Sequence, residues 1–284
     1  MGPSQAAEIE GEGARAKPVG ISMNPDRYAL VTGASRGIGK YFSRALAARS
    51  WNLIIVARTT DQIEQLARDL FAEFGIRAET IALDLTAPGA VADLSRIITE
   101  RGLNVELLVN NAGIGNQGEF LKLPLDEQLN MIRLNALAVV ELTHHLLPRM
   151  IARKRGAIIN VSSTAGFQPM PYVAVYAATK AFVTSFSMAI AEEVRAHGIT
   201  VVTLCPGPTQ TESHMDKPSR SGFPGGPQPA EDLVDEALKQ LDRHGGLLVP
   251  RPINKVMAFS NRLMPLKVSA KIVARAMRPQ THQD

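Results

Sequence analysis

Cysteine is nearly absent from this chain of 284 residues: the single Cys205 has no partner, which excludes an internal disulfide and points to a reducing compartment. It follows the apolar run Val201-Val202-Thr203-Leu204 and reads as a buried strand residue. No run of about eighteen apolar residues occurs, so nothing reads as a bilayer-spanning helix, and the first twenty residues lack the apolar centre of a signal peptide. Ala6 stands where a myristoylation motif needs Ser or Thr. A cytoplasmic protein is the expectation. Acidic residues are missing between Arg251 and Arg278, where seven bases fall: Arg251, Lys255, Arg262, Lys267, Lys271, Arg275 and Arg278. The net charge of +4 is therefore concentrated locally, and a nucleic-acid partner is not expected.

With 45% hydrophobic and 20% charged residues, the chain can bury a sizeable core. Residues 1–24, rich in Gly, Glu, Ala and Pro without periodicity, predict a disordered tail or an extension ahead of Met23. From Tyr28 onward short apolar runs alternate with helical stretches. Strands are expected near 28–32, 53–57, 78–83, 106–110, 157–161, 200–204 and 246–249. Helices are expected near 37–49, 60–74, 88–101, 126–153, 175–197 and 229–243, with two more near 253–263 and 267–277. This alternation predicts an α/β fold, a doubly wound parallel sheet of seven strands forming one domain over 25–250. The Pro/Gly-rich stretch within 209–229 is long enough to be a lid. Residues 251–284 read as a basic helical extension.

The first strand runs into Thr32-Gly33-Ala34-Ser35-Arg36-Gly37-Ile38-Gly39. Glycines there permit a tight turn, so that the amino end of the next helix can face a pyrophosphate with unpaired N–H groups. After the second strand, where an acid would bind ribose hydroxyls, the chain has Ala57-Arg58. Together with Arg36, that guanidinium favours a 2′-phosphate, and hence NADP over NAD. Asp84-Leu85 closes the third strand and Asn110-Asn111-Ala112-Gly113 the fourth, at the strand ends where open α/β sheets hold ligands. Asn135 interrupts the apolar run Leu134 to Val140, where an amide is costly unless hydrogen-bonded.

Tyr176 and Lys180 are spaced i, i+4 on one helical face. A nearby ammonium is expected to lower the phenol's pKa and fit it for proton exchange with a carbonyl oxygen. Ser163 precedes Tyr176 by thirteen residues, and Pro206-Gly207-Pro208-Thr209-Gln210-Thr211 follows the sixth strand. In order and spacing these elements resemble the classical short-chain dehydrogenase/reductase family: Thr32-Gly33-x-x-x-Gly37-Ile38-Gly39, Asn110-Asn111-Ala112-Gly113, Asn135, Ser163, Tyr176-x-x-x-Lys180 and Pro206-Gly207. The resemblance spans about residues 27–250. It implies a Rossmann sheet of order 3-2-1-4-5-6-7 and an NADP-dependent oxidoreductase interconverting a carbonyl and a secondary alcohol. It further implies Tyr176 as acid/base, Ser163 on the carbonyl oxygen, Lys180 on the cofactor ribose and Asn135 holding a relay water. Pro206, Gly207, Thr209 and Thr211 would lie against the nicotinamide carboxamide, and Ser162 would support the turn.

Phe167, Met170, Pro171 and Tyr172 on one side, with Met215 and Phe223 in the lid, are expected to wall an apolar substrate site. That favours a hydrophobic ketone; a softer likeness to long-chain 3-oxoacyl and hydroxysteroid reductases points the same way. The resemblance also implies a homodimer or homotetramer through the helices near 126–153 and 175–197. A catalytically idle dinucleotide sensor has no use for Ser163, Tyr176, Lys180 and Asn135 together. An epimerase or dehydratase of the extended family resembles a different glycine spacing, and a lipid-surface binding protein is supported only by the basic C-terminus. In that C-terminus Lys267, Lys271, Arg275 and Arg278 form one stripe, with Val268, Ile272, Val273, Ala276 and Met277 expected largely opposite. The expected amphipathic helix would cover the substrate entrance and touch a membrane surface or an anionic acyl carrier.

Overall fold

The computed structural model describes residues 27–211, 226–260 and 264–278. The expected tail, most of the expected lid, Met215 and Phe223 lie outside the described residues. Seven parallel strands form the main sheet: β1 (Arg27–Thr32), β2 (Asn52–Ala57), β3 (Ala78–Ala82), β4 (Asn104–Asn110), β5 (Gly156–Val161), β6 (Ile199–Leu204) and β9 (Gly246–Leu248). Their order is β3-β2-β1-β4-β5-β6-β9. This is the expected order; the seventh member is β9 because a small ladder, β7 (Thr209–Gln210) with β8 (Gln228–Pro229), intervenes in the chain. Strands of two residues carry no periodicity, so sequence could not announce that ladder.

The central strands are near-continuous runs of aliphatic residues because both faces are covered. On one face, Val31 and Ile55 pack with Phe42 and Leu46 of α1 (Gly37–Ala47), Leu66 and Leu70 of α2 (Thr60–Phe74), and Leu233 and Leu238 of α7 (Ala230–Asp242). On the other, Leu30 and Ile54 meet Leu94 and Ile98 of α3 (Ala90–Glu100) and Leu142 and Met150 of α5 (Ala138–Ala152). Val194 of α6 (Ala174–Arg195) joins the same side. Alternate residues of each strand thus feed opposite layers. Winding reverses at β1, which pairs with β2 on one side and β4 on the other, and opens a crevice at the strands' carboxyl ends.

One departure concerns the long helix expected near 126–153. The structure gives α4 (Leu125–Ile132), a π turn over Arg133–Leu137, and then α5. The Ala138 amide bonds to the Arg133 carbonyl, five residues back, and Asn135 lies inside that turn. At the C-terminus, α8 (Pro252–Ser260) and α9 (Leu266–Met277) complete the described chain. Ala258 of α8 packs with Cys205 and Val249 in a small core of its own, with Phe167 against it.

Candidate active site

The glycine turn is held by the strand beside it. Thr32 Oγ1 accepts from the amides of Asn111 and Ala112, both at 3.0 Å, and donates to the Val109 carbonyl at 3.3 Å. Asn111 Nδ2 returns bonds to the carbonyls of Thr32 (2.9 Å) and Gly33 (3.3 Å). Gly33 and Gly37 take φ of +66° and +55°, left-handed values that favour glycine. Gly39 stands apart from the other cofactor candidates because it does not line the cleft. A Cβ there would strike the Gly33 carbonyl oxygen at 2.3 Å, so its smallness seats α1 against the turn.

A cleft of about 1140 Å³ opens above this turn. Gly33, Ser35, Arg36, Gly37, Ile38, Arg58, Asp84, Leu85, Asn111, Ala112 and Gly113 line one end. Arg36 and Arg58 are both exposed at that end. The Asp84 carboxylate accepts from the Thr86 amide (2.9 Å) and hydroxyl (2.8 Å). These bonds, the amide's first, hold its pKa below the ordinary value, and Arg58 acts in the same direction.

At the other end lie Ser163, Tyr176, Lys180, Pro206, Gly207, Thr209 and Thr211. The carboxyl end of β5 leads to Ser163, which caps a short 3₁₀ turn (Thr164–Phe167) by accepting from the Ala165 amide at 3.2 Å. Lys180 is buried; its Nζ donates to the Val161 carbonyl at 2.8 Å and lies 5.8 Å from the centre of the Tyr176 ring. Burial pulls its pKa from 10.5 down to about 8. Behind it, burial pushes the Cys205 thiol up to about 11. The Tyr176 phenol corrects an expectation: burial raises its pKa, a hydrogen bond with Ser163 opposes the rise, and Lys180 does not set the balance.

Asn135 satisfies its amide through Ile114, accepting from its N–H at 2.9 Å and donating to its carbonyl at 2.8 Å. Its second N–H donates to Thr179 Oγ1 (3.1 Å), which in turn donates to the Tyr176 carbonyl (2.8 Å). The π turn thereby ties the loop after β4 to the helix carrying the tyrosine. Ser162 hydrogen-bonds the Lys180 carbonyl and the Thr184 hydroxyl, both at 2.7 Å, and so braces α6.

The apolar walls are only partly those expected. Met170 lines the cleft, but Phe167 packs on Phe259 with ring centres 6.0 Å apart, and Pro171 and Tyr172 stay outside the lining. Sequence reading missed Ile114, Gly115, Met131 and Leu134, and Asn254, Met257 and Met277 of the C-terminal helices. Gly115 lies under the Tyr176 ring, where a Cβ would come within 3.0 Å. The glycine-rich run Gly113-Ile114-Gly115-Asn116-Gln117-Gly118 was the available signal for that close approach. Gly207 has the Asn254 side chain where its own Cβ would be, 2.7 Å away.

Known proteins resemble this chain in sequence and fold. A very-long-chain 3-oxoacyl-CoA reductase of Pyrenophora tritici-repentis is 33% identical over 225 residues, which cover 77% of this chain and 64% of that protein. The chain thus spans under two thirds of that relative's length. The structure of a short-chain dehydrogenase from Sphingobium yanoikuyae in complex with NADPH matches with a TM-score of 0.75 at 30% identity, over 91% of this chain and 98% of that one. A bulky-bulky ketone specific alcohol dehydrogenase from Comamonas testosteroni matches with a TM-score of 0.74 at 28% identity, over 92% and 98%. The short chain dehydrogenase family model covers residues 27–222, and with these relatives it establishes that the chain belongs to that family.

Proposed function

We propose that the chain is an NADP-dependent oxidoreductase that reduces a bulky apolar ketone, of the long-chain 3-oxoacyl kind, to a secondary alcohol. The observation that carries this is the Ser163–Tyr176 pair, placed where a cleft with two exposed guanidinium groups at one end becomes lined by Met131, Leu134, Met170, Met257 and Met277. The volume, about 1140 Å³, exceeds the usual range for small-molecule sites and suits a dinucleotide with a sizeable substrate. The names of the fungal relative and of the ketone-specific structural neighbour support the substrate class.

The residues fit the cofactor by shape and charge. Gly33 and Gly37 leave the turn open to a pyrophosphate at the amino end of α1, and Arg36 and Arg58 are placed for a 2′-phosphate. Asn111 to Gly113, Pro206, Gly207, Thr209 and Thr211 continue the cradle. When bound, the nicotinamide supplies the hydride. Ser163 donates a hydrogen bond to the carbonyl oxygen and so stabilises the negative charge that develops on it. Tyr176 delivers the proton to that oxygen. Its raised pKa keeps the phenol protonated at neutral pH, the state that reduction requires. Lys180, its pKa lowered to about 8, restores the tyrosine's proton, and Asn135 fixes the loop and helix between which a relay water would sit.

We further infer a homo-oligomer. Leu125, Leu129 and Ile132 of α4 and Phe182 and Met188 of α6 are exposed large apolar residues on two helices that pack together. α6 is also long and apolar enough to cross a membrane by length and composition, but it carries Tyr176 and Lys180 into the cleft. Its apolar outer side therefore suits a second copy. Light scattering at micromolar concentration tests this, and monomer alone would refute it. The activity test is NADPH oxidation over a carbonyl panel, from small ketones to long-chain 3-oxoacyl thioesters, repeated with NADH. Turnover is expected to favour NADPH and bulky apolar ketones.

A further inference from the structure

Helix α9 presents two different faces. Inward, Ser269 is buried, Ala270 and Val273 are partly buried, and Met277 reaches the cleft. Outward, Lys267, Lys271 and Arg275 form an exposed strip. One helical step round from it, Val268 and Ile272 remain 45% and 52% exposed, and Leu266 at the helix start is 63% exposed. The apolar residues expected opposite the bases are thus divided: Val273 and Met277 face the domain, while Val268 and Ile272 sit in solvent beside the basic strip. Among the described residues no carboxylate pairs with Lys267, Lys271 or Arg275, and the sequence from Arg251 to Arg278 contains no acid.

Two of the bonds that hold the helix across the cleft are long. Gln117 Nε2 donates to the Met277 carbonyl, and Ser269 Oγ to Gln168 Oε1, both at 3.4 Å, long for hydrogen bonds. Arg278 adds a bond with the Tyr172 phenol. A cluster of bases next to a bare aliphatic strip has the composition of a helix lying in the headgroup region, with aliphatic side chains reaching the acyl boundary and cations among anionic headgroups. Charge alone would also suit an acidic protein; the aliphatic strip beside it calls for an apolar phase.

We propose that the outer face of α9 seats on an anionic phospholipid surface, and that apolar substrate enters the cleft from that surface beneath Met277. The second half rests on the apolar-ketone reading; the first does not. The experiment is sedimentation of the full chain with phosphatidylcholine vesicles, with and without phosphatidylserine, at low and physiological salt. Binding is expected to the anionic vesicles and to weaken with salt. K267Q/K271Q/R275Q should lower that affinity about a hundredfold, from about 1 kcal/mol per base near the surface. V268S/I272S keeps every charge and should still lower it about tenfold. Both variants should reduce a water-soluble ketone at the parental rate, while turnover of a long-chain 3-oxoacyl thioester dissolved in the vesicles falls with binding. Equal binding to neutral vesicles, no binding at low salt, or variants that bind like the parent would overturn the proposal. So would capture of an acidic carrier protein by a chain that ignores vesicles. A parent that binds vesicles yet reduces no carbonyl would instead sink the reductase reading and leave the surface contact standing.

Discussion

Lys180→Met removes the buried ammonium beneath Tyr176, and the structure sets the consequence for stability. Burial holds this group from 10.5 down to about 8, so keeping it charged in the fold costs about 3 kcal/mol at pH 7. The sign follows from proton counts. Between about 8 and 10.5 the unfolded chain binds more protons at this site than the native one, so stability rises with pH across that window and the full cost applies below it. At about pH 9.5 the cost shrinks by about 2 kcal/mol. Methionine carries no such cost, but it leaves the Val161 carbonyl without the ammonium, a loss of about 1–3 kcal/mol that does not depend on pH. The variant should therefore be about as stable as the parent at pH 7 and should fall behind by about 2 kcal/mol more at pH 9.5. Cys205 and Tyr176 also titrate at alkaline pH in both proteins; burial dominates both shifts, and Lys180 enters only as a lesser cause for the thiol. Urea unfolding of parent and variant at the two pH values measures this directly. A gap that is the same at both would show that burial does not set the lysine's proton affinity. Turnover of the variant should be lost at either pH.

Tyr176→Phe should retain NADPH binding and lose turnover by about 10²–10⁴-fold; activity within about tenfold of the parent would reject the phenol as acid/base. Because burial raises the phenol's pKa, alcohol oxidation, which needs the phenolate, should accelerate as pH rises through the alkaline range, whereas reduction should not. Arg58→Ala, and more weakly Arg36→Ala, should raise the KM for NADPH about ten- to hundredfold and leave that for NADH nearly unchanged, which initial-rate kinetics with both cofactors will show. Gly39→Ala forces a methyl group into the Gly33 carbonyl and should cost about 1–3 kcal/mol in thermal or urea unfolding, with weaker NADPH binding, although residue 39 does not line the cleft.

The parallel strands were legible because aliphatic runs such as Leu53-Ile54-Ile55-Val56 are buried on both faces, and the glycine turn because its residues are dictated by backbone conformation. What could not be read depends on distance in space. A π turn differs from an α turn by one residue, too little for any period over Arg133–Leu137 to reveal. The i, i+4 spacing of Tyr176 and Lys180 gave their proximity but not their burial, and burial decides both pKa directions. Met257 and Met277 line the cleft from helices whose apolar residues point both inward and outward, so the pattern alone did not say which face meets the domain.

The π turn also makes this region sensitive to chain length. Its wider winding accommodates what amounts to a single inserted residue within an otherwise α-helical rod. Deleting the exposed Leu137 would remove no cleft-lining side chain and would let the rod close into regular α turns. Within the turn each residue advances less than the ~100° of an α-helix, so the extra residue is absorbed without turning α4 about α5. The deletion would take Asn135 out of the widened turn and off its paired bonds with Ile114, while the Leu125–Leu129–Ile132 face of α4 keeps its direction. One missing residue would thus unfasten the loop beside the tyrosine while sparing the surface proposed to meet a second copy and making the helix itself more regular.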